Sequence, residues 1–304
     1  MTSKLKILIG INIALAIGVV LSFQTSESSS TLDMNTRVFS LNDTTLTITK
    51  IQLGEDILET KGPEQWMLNS TYPVNAQRIE SLVQLFQKIE VKRPVGDSFK
   101  AEVEKELARN PIDIHVFSGP TEALNYKIAK QGNETYASLP DGQLFSIYVP
   151  GTYLDLYTIL DIDEQDWRDK RVLLTSWRTL KRMEVKYPGD TENSFTVEFD
   201  SVFYKVPGIQ QLDSAKLYAY IQQFQTFRVE EFVQRSSLRD SLRRQQAMCI
   251  ITLNDLYREQ DNELLLYPGK DVFYGISQKT NEAVTLNRNM LRNFLVSRKE
   301  FIKQ

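Results

Sequence analysis

Cysteine and histidine are nearly absent from this sequence of 304 residues, which contains one of each, Cys249 and His115. A single cysteine excludes a disulfide bond within the chain. The stretch MCIITL around it is apolar and alternating, which predicts a thiol buried in a strand, with a reactive thiol as the alternative. Alternation in IDIHVFSG places the histidine on the more polar face of a strand, where we expect a structural or surface role.

The scarcity of these two residue types restricts the chemistry that the chain can perform. A zinc site of the usual tetrahedral kind would need several carboxylates beside one histidine and one cysteine. The sequence contains neither a G-x-S-x-G nucleophile elbow nor a glycine-rich phosphate-binding loop. We therefore predict no catalytic residue, no metal ligand and no cofactor.

Positive charge is not in excess either. The formal net charge is -3, which argues against nucleic acid as a partner. Hydrophobic residues make up 41% of the chain and charged residues 25%. That balance is typical of a folded globular protein of one large or two modest domains.

The longest apolar run lies near the N-terminus, from Ile7 to Phe23, is broken only by Asn12 and Ser22, and follows Lys4 and Lys6. Its length is at the short end of what is needed to cross a hydrocarbon core of about 30 Å, so it predicts one transmembrane helix. Arg37 is the first positive charge beyond the run. The positive-inside rule therefore places the N-terminus in the cytoplasm and the remaining chain outside it. A cleaved signal peptide is the alternative.

Two distant segments resemble each other without a gap. Residues 66–91, WMLNSTYPVNAQRIESLVQLFQKIEV, and residues 204–229, YKVPGIQQLDSAKLYAYIQQFQTFRV, align at a shift of about 138 residues. Both have apolar residues at the spacing of one helix face. These residues are Ile79, Leu82, Val83, Phe86 and Ile89 in the first segment, and Leu217, Tyr220, Ile221, Phe224 and Phe227 in the second.

Four residues mark equivalent positions in the two segments. Asn75 and Asp213 directly precede the helices and are favoured N-caps, because their side-chain oxygens accept free backbone N–H groups. Trp66 and Tyr204 lie in the strands before them. We interpret these pairs as structural markers of an internal duplication. Chance recurrence of a common strand–turn–helix unit is the alternative.

The segments that follow these helices are also similar. In each half, four alternating segments predict antiparallel strands with glycine and proline at the turns. They read IDIHVFSG, ALNYKIAKQG, ETYASLP and LFSIYVPG in the first half, and CIITLND, NELLLYPG, DVFYGISQ and EAVTLN in the second. A further helix follows each set, in which Leu154 and Tyr157 are matched with Leu291 and Phe294.

The predicted fold class is α+β, with two similar halves (an internal duplication), each an antiparallel sheet with helices packed on it. One N-terminal transmembrane helix precedes them. The predicted divisions are a cytoplasmic stub and transmembrane anchor (1–24), a polar tether (25–40), a first α+β half (41–179) and a second α+β half (180–304).

Three features of the chain are found together in one family. They are the segment QWMLNSTYPVNAQRIESLVQLFQKI, the block DWRDKRVLL from Asp166 to Leu174, and the repeated unit of three strands and a helix. In these features the chain resembles domain of unknown function 4340, a family of uncharacterised bacterial proteins, over roughly Thr45 to Phe232. The resemblance implies a membrane-anchored protein, often encoded beside an ABC-type transport system of the gliding-motility kind. It supplies no catalytic residues, because none are established for the family.

Two charged segments are candidate interaction surfaces. DIDEQDWRD, residues 161–169, is the densest acidic cluster but lacks the spacing of a calcium-binding loop, so a solvated helix end and a weak divalent-ion site remain alternatives. SLRDSLRRQQ, residues 237–246, is basic and suits anionic headgroups or an acidic partner, with an exposed unpartnered helix as the alternative. The candidate residues are Asp163 and Asp166 in the first segment, and Arg239, Arg243 and Arg244 in the second.

These observations favour a non-enzymatic, single-pass, membrane-anchored accessory or scaffold protein of the bacterial inner membrane, with its body in the periplasm. The expected partners are the membrane, through the N-terminal helix, and a membrane protein of transporter type in an ABC-type transport or gliding-motility-like assembly. The alternative is an extracytoplasmic binding module that holds a small molecule, peptide or glycan between the halves. A hydrolase that uses the carboxylates of residues 161–169 is the least favoured hypothesis.

Overall fold

A computed structural model of the chain describes residues 37–62, 65–256 and 261–303. The apolar run from Ile7 to Phe23, predicted as a transmembrane helix, lies outside these residues. Within the described ranges, no helix is long and apolar enough to cross a membrane.

Among the described residues, the first half has nine strands and four helices. The strands are β1 (Lys50–Leu53), β2 (Asp56–Gly62), β3 (Gln65–Leu68), β4 (Tyr72–Val74), β5 (Glu90–Pro94), β6 (Ile112–Ser118), β7 (Thr121–Gln131), β8 (Glu134–Ser138) and β9 (Leu144–Tyr148). The helices are α1 (Ala76–Phe86), α2 (Asp97–Arg109), α3 (Leu156–Leu160) and α4 (Glu164–Trp167). All nine strands form one antiparallel sheet in the order β4-β3-β2-β1-β6-β7-β8-β9-β5.

The described residues of the second half form eight strands and three α-helices. The strands are β10 (Leu180–Lys186), β11 (Phe195–Phe199), β12 (Tyr204–Lys205), β13 (Glu231–Val233), β14 (Cys249–Asp255), β15 (Asn262–Pro268), β16 (Phe273–Ser277) and β17 (Glu282–Leu286). The helices are α5 (Ser214–Gln223), α6 (Ser236–Arg243) and α7 (Arg288–Arg292), with a 3-10 helix over Arg298–Phe301. The sheet is antiparallel in the order β12-β11-β10-β14-β15-β16-β17-β13.

The two sheets share one topology. Without β4, the first order is β3-β2-β1-β6-β7-β8-β9-β5, and each of its strands has a counterpart at the same place in the second order. Helices α1 and α5 come after the equivalent strands β3 and β12, with β4 as an addition before α1. Helices α2 and α6 follow β5 and β13, the equivalent strands at the opposite edge of each sheet. The predicted α+β class with two antiparallel sheets is therefore confirmed.

The apolar faces of α1 and α5 hold these helices in place. In α1 the predicted face is buried except at Val83, which is half-buried, and in α5 the whole face is buried. Burying a large aliphatic or aromatic side chain stabilises the fold by about 1.5–3 kcal/mol, so each helix gains far more from its face than from intrinsic propensity. The larger aromatic residues of the second face contact one another: Phe294 lies 5.0 Å from Phe224 and 4.8 Å from Phe227 between ring centroids, both edge to face.

Both predicted N-caps are confirmed. The side-chain oxygen of Asn75 accepts a hydrogen bond of 3.0 Å from the backbone N–H of Gln77 at the start of α1. Asp213 accepts one of 3.1 Å from the backbone N–H of Lys216 at the start of α5. Each cap satisfies a backbone donor that has no partner inside its helix.

The predicted match between Leu154 and Leu291 is wrong. Leu154 precedes α3 and is exposed, whereas Leu291 lies inside α7 and is fully buried. The reason is the position of the cap: Asp155 accepts a hydrogen bond of 2.9 Å from the backbone N–H of Thr158, so α3 begins after Leu154.

The edge strand β5 is fastened to the sheet by one carboxylate. Glu134, on β8, accepts hydrogen bonds from Lys92 Nζ at 2.5 Å and from Arg93 Nη2 at 2.9 Å. The bond from Lys92 is the main reason that the pKa of Glu134 falls to about 2. An edge strand has backbone hydrogen bonds to only one neighbouring strand. Ion pairs such as these therefore stabilise the position of β5 in the sheet.

This link predicts acid-dependent stability. Because the pKa of Glu134 is lowered on folding, the link stabilises the protein above the group's ordinary pKa of 4.5 and is lost as the pH falls towards 2. Glu134→Gln is expected to lower the free energy of unfolding by about 1 kcal/mol at pH 7, with a difference that shrinks below pH 4.5. Urea unfolding over a pH series measures it, and Glu102→Gln on the exposed face of α2 is the control. A difference that stays constant down to pH 2 would contradict the assignment.

Candidate functional site

The segment 163–175 connects the two halves and is called the joint. Trp167, at the end of α4, is buried in the hydrophobic core of the first half. Val172 and Leu173 are buried in the core of the second half. The chain therefore leaves one core and enters the other within a few residues.

The joint pairs with the edge of the first sheet. Arg168 forms an isolated antiparallel bridge with Val74 of β4. The backbone N–H of Asp169 donates a hydrogen bond of 2.7 Å to the carbonyl of Pro73. Strand β4 is the outermost strand of its sheet, so the joint covers backbone groups that would otherwise be open to pairing with another chain.

The joint also pairs with the edge of the second sheet. The carbonyl of Lys170 accepts a hydrogen bond of 2.9 Å from the backbone N–H of Val229, just before β13. The side-chain amide of Gln165 donates to the carbonyl of Phe232 at 3.1 Å and accepts from its N–H at 3.2 Å. One short segment thus covers an edge of each sheet.

The centre of the joint is a buried cation. The side chain of Arg168 is 1% exposed. Its guanidinium lies between two rings, 3.8 Å from the centroid of Tyr72 and 3.7 Å from that of Phe232. Its Nη2 donates a hydrogen bond of 2.5 Å to Glu282, while Nε and Nη1 have no acceptor among the described residues.

This arrangement, called the Arg168 clamp, connects the halves through a side chain as well as through the backbone. Tyr72 belongs to the first half, whereas Phe232 and Glu282 belong to the second. Burying a charged group is costly unless it is paired. A guanidinium is planar and weakly hydrated, so two aromatic faces and one carboxylate can offset that cost. Any movement of one half away from the other would remove a ring or the carboxylate from the cation.

A groove of about 650 Å³ lies beside the clamp. Its walls come from both halves and from the joint, and are polar as well as apolar. Asp169 and Arg171 form a bidentate pair at the groove, with distances of 2.8 and 2.9 Å from Nε and Nη2 to the carboxylate oxygens. This pairing raises the pKa of Arg171. Six of the lining residues are Trp66, Asn75, Gln77, Asp169, Arg171 and Lys279.

The marker residues Trp66 and Tyr204 occupy equivalent strands but differ in surroundings. Trp66 is half-buried and forms part of the groove wall. Tyr204 is buried, and its hydroxyl donates to the carbonyls of Trp177 at 2.7 Å and of Leu180 at 2.8 Å. At this equivalent position, the first half therefore has an aromatic side chain in the groove wall, Trp66, whereas the second half has one in its core, Tyr204.

The acidic candidates Asp163 and Asp166 both have local partners. Asp163 is the N-cap of α4 and accepts a hydrogen bond of 2.9 Å from the backbone N–H of Gln165. Asp166 forms an ion pair with Lys170 at 3.2 Å. Both carboxylates thus contribute to the start of the joint.

Two of the basic candidates contact a turn of the same chain. Arg239 donates to the carbonyl of Asn281 at 3.4 Å, and Arg243 donates to its side-chain oxygen. Asn281 has a φ of 58° in the turn between β16 and β17, a left-handed conformation that asparagine tolerates. Arg244 is the exposed C-cap of α6. The acidic and basic candidates lie on neighbouring elements, because α4 is hydrogen-bonded through Gln165 to β13, which directly precedes α6.

The single histidine and the single cysteine are separate from the joint. His115 Nδ1 lies 2.7 Å from the carboxylate of Glu122 on the partly exposed face of its strand pair. Cys249 is fully buried, as predicted, and burial raises the pKa of its thiol to about 12. Among the residues that the structure describes, no group of three histidine, cysteine, aspartate or glutamate side chains is placed to hold a metal ion.

The clamp gives a prediction about stability. Arg168→Ala is expected to lower the free energy of unfolding by about 3–5 kcal/mol, because it leaves Glu282 and two ring faces without their partner. Arg168→Lys should restore little of this loss, since an ammonium cannot stack between two rings as a planar guanidinium does. Urea unfolding measures both changes.

Arg171→Ala is the matched control in the same segment, with an expected loss of about 1 kcal/mol or less. Trypsin gives a second measurement, because it cleaves after Lys170 and Arg171. The native joint should resist cleavage and the joint of Arg168→Ala should yield two fragments. Equal losses from the Arg168 and Arg171 variants would contradict the clamp.

Comparisons with protein-family models, with curated proteins and with solved structures found no match to this chain. The resemblance to domain of unknown function 4340 stays a prediction.

Proposed function

We propose that this chain is a non-enzymatic accessory or scaffold protein, anchored by its N-terminal apolar run in a bacterial inner membrane with its body in the periplasm. In this proposal its partner is a membrane protein of transporter type, in an ABC-type transport or gliding-motility-like assembly, as the family resemblance implies. The two halves would have arisen by internal duplication, which their shared strand order and equivalent helix caps support.

The observation that carries the proposal is the Arg168 clamp. A scaffold has to present surfaces at fixed distances from one another. Here a buried cation and the paired joint hold two sheets in one relative orientation. An enzyme that closes over a substrate would instead need a joint that opens.

The use of the ionisable groups supports the same proposal. Asp163 caps a helix, Asp166 pairs with Lys170, and His115 pairs with Glu122. Catalysis by an acid, a base or a nucleophile requires such groups to converge on one point in a cleft. In the described part of the chain, these three groups each take part in a local structural contact instead.

The test is isolation of the full-length tagged chain from membranes. The chain is expected to stay in the membrane fraction after an alkaline wash and to co-purify, after mild detergent extraction, with a polytopic membrane protein. Leu15→Arg combined with Val19→Arg is the control, since each charge opposes insertion by about 2.5–3.5 kcal/mol. Release of the wild-type chain by the wash, or purification without any membrane protein, would overturn the proposal.

The groove beside the clamp favours a second candidate, a binding module. Its volume of about 650 Å³ is suitable for a small molecule or a short segment of peptide or glycan. Trp66 offers a ring face, and the Asp169–Arg171 pair with Lys279 offers fixed polar groups. A ligand with one planar or sugar-like face and a polar rim fits this set.

A thermal-shift screen of sugars, peptides and small metabolites tests this candidate. A true ligand at a hundredfold excess over its Kd should stabilise the folded state by about 2.7 kcal/mol. Trp66→Ala should abolish the shift, whereas Trp177→Ala, outside the groove, should preserve it. A shift that survives in Trp66→Ala would place the ligand elsewhere.

A further inference from the structure

One end of the second half exposes an apolar surface. Of the nine large hydrophobic residues that are exposed in the described part of the chain, five belong to it. They are called the apolar end and are Trp177, Phe199, Val202, Phe203 and Leu256. Large apolar surfaces of this kind mark sites of contact with a partner or a membrane.

Contacts within the fold bring these residues together. The ring of Phe199 lies 5.2 Å from that of Tyr204, and Trp177 lies 6.0 Å from Tyr218, which itself contacts Tyr204. Leu256 follows β14, and its N–H donates to the carbonyl of Thr179 at 2.8 Å, close to Trp177 in the chain. The apolar end is therefore one continuous region around the β11–β12 turn.

The turn presents its apolar side chains from a fixed backbone. The carboxylate of Asp200 accepts hydrogen bonds from the backbone N–H groups of Phe203 at 3.0 Å and Val202 at 3.3 Å. Ser201 has a φ of 81°, a left-handed conformation that is strained for a residue other than glycine. Val202 is 65% exposed and Phe203 is 67% exposed. The turn therefore combines a strained backbone at Ser201 with two apolar side chains that are exposed to water.

The first half shows that this hairpin does not need apolar residues to form. Strand β3 is the counterpart of β12: Trp66 pairs with Thr60 of β2, as Tyr204 pairs with Phe199 of β11. Thr60 therefore stands where the second half has Phe199, and Gln65, directly before Trp66, stands where it has Phe203. The same strand pairing forms with polar residues at these two positions, so the topology does not require Phe199 and Phe203.

We propose that the apolar end inserts into the interfacial region of an anionic lipid bilayer. Arg178, Lys181 and Lys205 are exposed beside it, and basic side chains near such a surface attract anionic headgroups. Arg178 lies 5.1 Å from the ring of Trp177, a pair suited to the boundary between headgroups and acyl chains. The carboxylate of Asp200 keeps its charge, and its two backbone hydrogen bonds offset part of the cost of moving it out of water.

Shape and tether length favour lipid over a protein surface. Val202 and Phe203 are 65% and 67% exposed in the turn between β11 and β12. A protein could cover them only with a matching pocket, whereas acyl chains adapt to the side chains that they contact. About a dozen residues separate Phe23 from Arg37, and they reach at most about 45 Å when extended. The inference rests on the proposed membrane anchor, because such a tether keeps the body close to the bilayer.

The experiment uses the full-length chain in vesicles with a dye on a single new cysteine. The native thiol of Cys249 is buried and has a raised pKa, so a maleimide dye labels Val202→Cys at the turn. Thr191→Cys, in the turn at the opposite end of β11, is the matched control. In vesicles of neutral and anionic lipid with brominated acyl chains, quenching of the dye at position 202 is expected to exceed that at position 191 several-fold. Adding Phe203→Gln, the residue of the first half, should reduce it.

Three outcomes would overturn the proposal. One is equal quenching at positions 202 and 191 while the chain stays bound to vesicles, which would leave the membrane anchor intact and remove the apolar end from the bilayer. Another is a dye at position 202 that is protected from water in native membranes but remains exposed in vesicles of pure lipid. That result would assign the apolar end to a protein partner. The third is quenching that Phe203→Gln leaves unchanged.

Discussion

A single buried cation contacts both halves of this protein. Arg168 has one aromatic ring from the first half on one face, one from the second half on the other, and a carboxylate from the second half at its edge. Because a buried guanidinium without partners is strongly unfavourable, this contact favours the orientation of the halves that supplies all three. The groove and the paired sheet edges follow from that orientation.

The repeated fold explains why the differences between the halves are informative. Equivalent hairpins, helices and caps form from both sets of residues, so the shared features are those that the topology requires. Features found in one half alone, such as the ring of Trp66 in the groove and the apolar end at the β11–β12 turn, are not required by it. The positions at which the two halves differ are therefore the best candidates for functional residues.

Local pattern was enough to predict α1, α5, their caps and most strands, because periodicity and capping depend on neighbours in sequence. Helix α2, the longest, was not predicted, because it has few apolar residues and buries only Val103. The Arg168 clamp could not be predicted in this way, since Tyr72 and Phe232 lie far from Arg168 on either side. Its charge also suggested exposure, as charged residues are rarely buried without partners. The apolar end was missed for a related reason: in SFTVEFDSVF, apolar residues are expected in a strand, and only the fold shows that the last of them point into water.

The joint has a consequence for how such a protein can change. Because one segment pairs with an edge of each sheet, a half expressed without the joint would leave the backbone groups of that edge unpaired. Cutting the chain there would expose an unpaired strand edge on each sheet, and each edge could form hydrogen bonds with a strand of another molecule. Selection would therefore act on the pair as one unit, and the halves would be free to diverge on their surfaces but not at the segment that they share.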